Sequence, residues 1–123
     1  MAKILIIDDS PHDRFVVKNA LEKKDHTILE VESGKDGIDL LKKESVDIVV
    51  SDLYMPEQDG LETLQAIKAI DADLPVILMS GSKSSSLYFK TANFLKVTTT
   101  VYKDLVLEEK ITKEVERILQ QPK

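Results

Sequence analysis

Five short apolar runs punctuate the chain: Ile4 to Ile7, Ile28 to Val31, Ile48 to Val50, Val76 to Met79 and Thr98 to Tyr102. Each has the length of a strand, and most are rich in the β-branched residues that pack well on a pleated surface. The segments between them carry a different period. Val16, Val17, Ala20 and Leu21 in the first, and Ile38, Leu40 and Leu41 in the second, recur as the buried face of a helix does. Further helices are expected over Leu61 to Ile70, Ser84 to Phe94 and Leu107 to Leu119. Such alternation predicts an α/β fold, a (βα)5 chain whose parallel sheet is covered by helices on both faces.

The punctuation agrees. Ser10-Pro11 puts a capping hydroxyl before a proline at the first helical position, Ser33 can cap the second helix, and Gly60 opens the third. Gly37 inside the second helix runs against helix propensity, and Ser82 to Ser86 has the polar composition of a loop, which weakens the start of the fourth helix. No repeat or low-complexity tract divides the chain, and 123 residues suit one domain, taken as residues 1–123 with only Gln120 to Lys123 fraying.

Composition narrows the function. A net charge of -5 repels a phosphate backbone, so no nucleic-acid partner is expected. The absence of cysteine excludes disulfides and thiolate metal sites and suits a reducing cytoplasm. Asp8-Asp9 cuts the N-terminal apolar run far short of a signal-peptide core or a membrane span.

In open parallel sheets, ligands sit beyond the carboxyl ends of the strands. Here the first strand is expected to end in Asp8-Asp9, the third in Asp52, the fourth in Ser80 and the fifth in Lys103. Carboxylates brought together there repel one another and take up protons unless a cation shares the site. With oxygen ligands and neither histidine nor cysteine in the set, the hard ion Mg²⁺ is expected, with Mn²⁺ able to substitute; Mg²⁺ characteristically joins a few carboxylates to a phosphate.

With Asp8-Asp9, the stretch DLYMPEQDG beginning at Asp52, Ser80 and Lys103, the chain resembles the receiver domain of two-component response regulators, of the stand-alone chemotaxis-regulator kind. The likeness spans nearly the whole chain. It implies a flavodoxin-like, doubly wound sheet of strand order 2-1-3-4-5. It also implies a signalling switch rather than an enzyme, in which Asp52 accepts a phosphoryl group from a sensor histidine kinase or a histidine phosphotransfer protein. Asp8, Asp9, Asp52 and the backbone carbonyl of Tyr54 would serve the Mg²⁺ site, with Lys103 and Ser80 contacting the phosphoryl oxygens. Output would pass through the surface of the fourth helix, fifth strand and fifth helix to a downstream protein, from a monomer or a phosphorylation-dependent dimer.

The chain also departs from the family pattern. Asp104 stands where proline usually follows the lysine, leaving the shape of that loop open. Thr100 stands where an aromatic residue often lies, and Tyr102, two positions on along the same strand face, is the candidate substitute. The rival readings are a pseudo-receiver that docks without phosphorylation and a phosphatase of the haloacid dehalogenase type; adjacent Asp8-Asp9 lacks the latter's acid-any-acid spacing. His12 reads as an exposed helix residue, His26 as a turn residue, and Lys18, Lys23, Lys24 and Glu108 to Lys110 as solvated faces.

Overall fold

The computed structural model describes residues 1–53, 55, 60–81 and 96–121. In chain order these form β1 (Lys3–Ile7), α1 (Pro11–Glu22), β2 (Thr27–Val31), α2 (Gly34–Leu41), β3 (Ile48–Asp52), α3 (Gly60–Ile70), β4 (Val76–Ser80), β5 (Thr99–Tyr102) and α4 (Leu107–Gln120). The strands form one parallel sheet in the order β2-β1-β3-β4-β5, the expected doubly wound, flavodoxin-like arrangement. The helix anticipated over Ser84 to Phe94 and the Tyr54 carbonyl lie outside the described residues. What the sequence suggested as the fifth helix is α4.

Burial of both sheet faces explains why the central strands read as unbroken apolar runs rather than alternating ones. Successive side chains point to opposite faces. Ile4 and Ile6 of β1 join Ile48 and Val50 of β3, Ile77 and Met79 of β4, Val17 and Leu21 of α1, and Ile111 and Val115 of α4. Leu5 and Ile7 join Val49, Leu78, and Leu64 and Ile67 of α3 on the other side. Among the described residues no helix is long and apolar enough to cross a membrane.

The caps form as the sequence suggested: Ser10 Oγ accepts from Asp13 N at 3.3 Å, and Ser33 Oγ from Asp36 N at 3.1 Å. Gly37 has a tertiary reason. A Cβ there would lie 2.5 Å from Cδ1 of Ile7, so the glycine lets α2 settle onto β1 despite its weak helix propensity.

β3 extends two residues past its apolar run and ends in Asp52, as expected, with Asp52 paired to Met79. The Lys103–Asp104 peptide is trans, and Asp104 shapes the turn into α4 instead. Its Oδ1 accepts from Val106 N at 3.0 Å, its carbonyl from Leu107 N at 3.1 Å, and its carboxylate also meets Lys110. Lys110 is therefore no purely solvated residue. Neither is His26, whose Nδ1 accepts from Ala2 N at 3.0 Å and ties the N-terminus to the turn before β2. Partial burial, chiefly, pushes its imidazole below the ordinary histidine value.

Candidate functional site

The strand register places the acidic groups. Within β3, Asp52 shares the face of Ile48 and Val50, the side covered by α1 and α4. Asp8 follows Ile7 in the same two-residue register as Ile4 and Ile6, and Lys103 follows Tyr102 in register with Val101. Three side chains from three strands thus emerge at the same end of the sheet and on the same side of it.

They meet there. One carboxylate oxygen from each of Asp8, Asp9 and Asp52 lies within 4.8 Å of the other two; Asp8 and Asp52 are buried and Asp9 is exposed. The Lys103 ammonium stands 2.9 Å from Asp8 Oδ2 and 3.3 Å from Asp52 Oδ1. Ser80, the last residue of β4, is fully buried, and its carbonyl accepts from Lys103 N at 2.8 Å, which fixes the backbone that delivers the lysine. Tyr102 pairs with Ser80 across β4 and β5 and is partly exposed.

Asp8 is held from both ends. Its Oδ1 accepts from Ser10 N at 2.9 Å while Oδ2 accepts from Lys103 Nζ. Its carbonyl accepts from Arg14 at 2.7 Å, and the Arg14 Nε donates to Glu30 Oε1 at 3.2 Å. Glu30 also meets Lys18 Nζ at 2.8 Å, and this hydrogen bond is the main reason its carboxyl lies below the usual range. Lys18 is thereby both a solvated lysine and part of a brace between α1 and β2.

Two members were not anticipated from the sequence, Arg14 and Asp13. Asp13 Oδ2 lies 2.8 Å from Lys103 Nζ, the shortest of the lysine's three carboxylate contacts. Burial would lower the Lys103 pKa, but hydrogen bonds to Asp13 and Asp8 and the charge of Asp52 outweigh it, so the group is held above the ordinary lysine value. The ammonium is charged throughout the neutral range. His12, expected to be exposed, is exposed.

Chemically, the described residues form an oxygen-rich pocket around one fixed cation, with a surplus of negative charge. Among the described residues, Asp8, Asp13 and Asp52 face the ammonium of Lys103, and Asp9 stands beside Asp8 and Asp52. The spacing and donor set of Asp8, Asp9 and Asp52 fit a hard divalent ion such as Mg²⁺.

The chain resembles known proteins. Residues 4–116 match the family model of the response regulator receiver domain. Protein PilH of Pseudomonas aeruginosa is 39% identical over 85 residues, a stretch covering 65% of this chain and 68% of PilH. A chemotaxis protein CheY homolog of Campylobacter jejuni is 33% identical over 115 residues, covering 89% of this chain and 88% of the homolog. The crystal structure of the chemotaxis response regulator CheY4 of Vibrio cholerae superposes with a TM-score of 0.86 at 22% identity, covering 96% of this chain and 98% of that one.

Proposed function

The chain belongs to the response regulator receiver domain family, and on that footing we propose that it is a phosphorylation switch whose acceptor is Asp52. The family is one of signalling domains, and its members take their signal from histidine kinases. One observation carries the residue assignment: oxygens of Asp8, Asp9 and Asp52 gather within 4.8 Å, with Lys103 Nζ 3.3 Å from Asp52.

In the proposed reaction an Asp52 carboxylate oxygen attacks phosphorus as the bond from phosphorus to the donor breaks. The donor is the phosphohistidine of a sensor kinase or a histidine phosphotransfer protein. The P–N electron pair leaves on the imidazole, and water later returns Asp52 and inorganic phosphate. Because β3 carries Asp52 and its amide neighbours pair with β4, the nucleophile is delivered rigidly, with little reorientation left to the moment of reaction. Lys103 offers positive charge to the phosphoryl oxygens.

Asp9 and Asp52 would hold Mg²⁺ directly, along with the Tyr54 carbonyl. Asp8, both of whose oxygens already accept hydrogen bonds, would act at one remove. When bound, the dication neutralises charge on the transferring group. After transfer, the Ser80 hydroxyl hydrogen-bonds a phosphoryl oxygen, and the change is passed to an output surface that includes β5 and α4. A downstream protein reads that surface. In this reading residues 1–123 act as one cytoplasmic domain.

The test is incubation with Mg²⁺ and a small acyl phosphate followed by intact-mass measurement. Wild type should gain one phosphoryl adduct and Asp52→Asn none; an adduct of equal yield on both would place the acceptor elsewhere.

A further inference from the structure

Lys103 has three N–H donors, and its ammonium faces three carboxylates: Asp13 Oδ2 at 2.8 Å, Asp8 Oδ2 at 2.9 Å and Asp52 Oδ1 at 3.3 Å. Two of the donors are committed, to Asp8 and Asp13, while the longer approach to Asp52 is an ion-pair contact. With the ammonium hydrogen-bonded to Asp8 and Asp13, a phosphoryl group arriving on Asp52 competes with both for it.

The three are not equally easy to give up. Asp8 is fully buried, and stripping a buried carboxylate of its cation is expensive. Asp52 is the group being modified. The Asp13 side chain keeps 28% of its exposure against 13% for Lys103, and it lies at the first turn of α1, where the helix N-terminus and water both favour its charge. A partly exposed carboxylate loses less than a buried one when its ion pair opens.

We propose that Asp13 is a positioning residue, a counter-ion that parks Lys103 and competes with the phosphoryl group for it. Resting on the assignment of Asp52 as acceptor, this adds a threshold to the switch. Lys103 is held ready between Asp8 and Asp13, and phosphorylation exchanges the Asp13 contact for a phosphoryl one. The α1 segment beginning at Pro11 thereby senses the state of the acceptor through one side chain, because Asp13 is freed to water when the phosphoryl group binds.

Removing the competitor should favour the phosphoryl-bound state. The probe is beryllofluoride, a phosphoryl mimic, titrated by NMR into the full chain at saturating Mg²⁺. Asp13→Asn and Asp13→Ala should bind it about three- to tenfold more tightly than wild type, the range expected for releasing one partly exposed ion pair. Asp13→Glu, which restores a carboxylate, should return the affinity toward wild type. In a Lys103→Met background there is nothing to compete for, so the Asp13→Asn gain should vanish.

A gain that persists without Lys103 would mean that Asp13 acts only by repelling the incoming charge, and would overturn the proposal. So would unchanged or weaker binding by Asp13→Asn, or an Asp13→Glu variant that behaves like Asp13→Asn, and these single variants keep the proposal falsifiable even if the Lys103→Met chain does not fold. Wild type that neither binds beryllofluoride nor gains an adduct would overturn the acceptor assignment itself. Wild type that does both, with no effect at Asp13, overturns the parking role alone.

Discussion

Lys103→Met is expected to unfold at a markedly lower denaturant midpoint than wild type at pH 7, with a loss of about 3–5 kcal/mol in the absence of divalent ions. Methionine keeps most of the stem but removes the only cation facing Asp8, Asp13 and Asp52 among the described residues. Asp8 is fully buried and Asp52 nearly so, so water cannot replace the lost charge cheaply. Saturating Mg²⁺ should recover part of the loss, because an ion bound only by the native state stabilises it by mass action. The pH dependence has a definite sign. Lys103 is raised above its ordinary 10.5, so its contribution is complete below that value and declines as pH rises through the higher folded one. The gap between wild type and Lys103→Met should stay level from neutral pH to about 10 and close above it. Equal midpoints at pH 7 would mean that the ammonium does not hold the carboxylates together.

Gly60→Ala is expected to lower stability by about 2 kcal/mol and the phosphorylation rate by about a hundredfold. In an ordinary helix position the change would be favourable. Here a Cβ would lie 2.6 Å from the Leu53 Cα and 2.7 Å from the Asp52 carbonyl oxygen, both backbone atoms that no rotamer change can move. Gly60 N also donates to Leu53 O at 2.6 Å, binding the start of α3 to the end of β3. No described glycine has a positive φ, so close approach, not backbone conformation, requires glycine here. Relief must come from shifting α3 or the segment that carries Asp52. Denaturant unfolding and adduct formation by mass measure the two effects. Retention of both wild-type values would show that the approach relaxes without disturbing the acceptor.

The fold was legible because its signals were local and mutually consistent. Continuous apolar runs such as Ile4 to Ile7 marked strands buried on both faces, and Ser10-Pro11 and Ser33 marked helix starts that the structure bears out. Strand order was not local information; it came from the family resemblance. Within the site, Asp8, Asp52 and Lys103 could be picked out because each ends or follows a strand, and parallel strands bring those positions to one rim.

Asp13 could not be read in the same way. It lies on a helix, where an acidic residue in the first turn already has a sufficient local reason, and its contact with Lys103 spans ninety residues of sequence. The available signal was directional: a helix starting directly after the Asp8-Asp9 strand end turns its first residues toward that end. Arg14 was hidden for a similar reason, since its partners are a backbone carbonyl and Glu30 of β2. Gly37 read as a defect until the approach of Ile7 explained it.

The account stands on shared occupancy of a dication by carboxylates that would otherwise repel. Thermal unfolding with increasing Mg²⁺ measures this most directly. The melting temperature of wild type should rise with Mg²⁺ and keep rising logarithmically beyond the dissociation constant, while Asp9→Ala, which leaves the buried Asp8 and Lys103 pairing in place, should lose the response. A wild-type melting temperature indifferent to Mg²⁺, or an Asp9→Ala response equal to that of wild type, would contradict it.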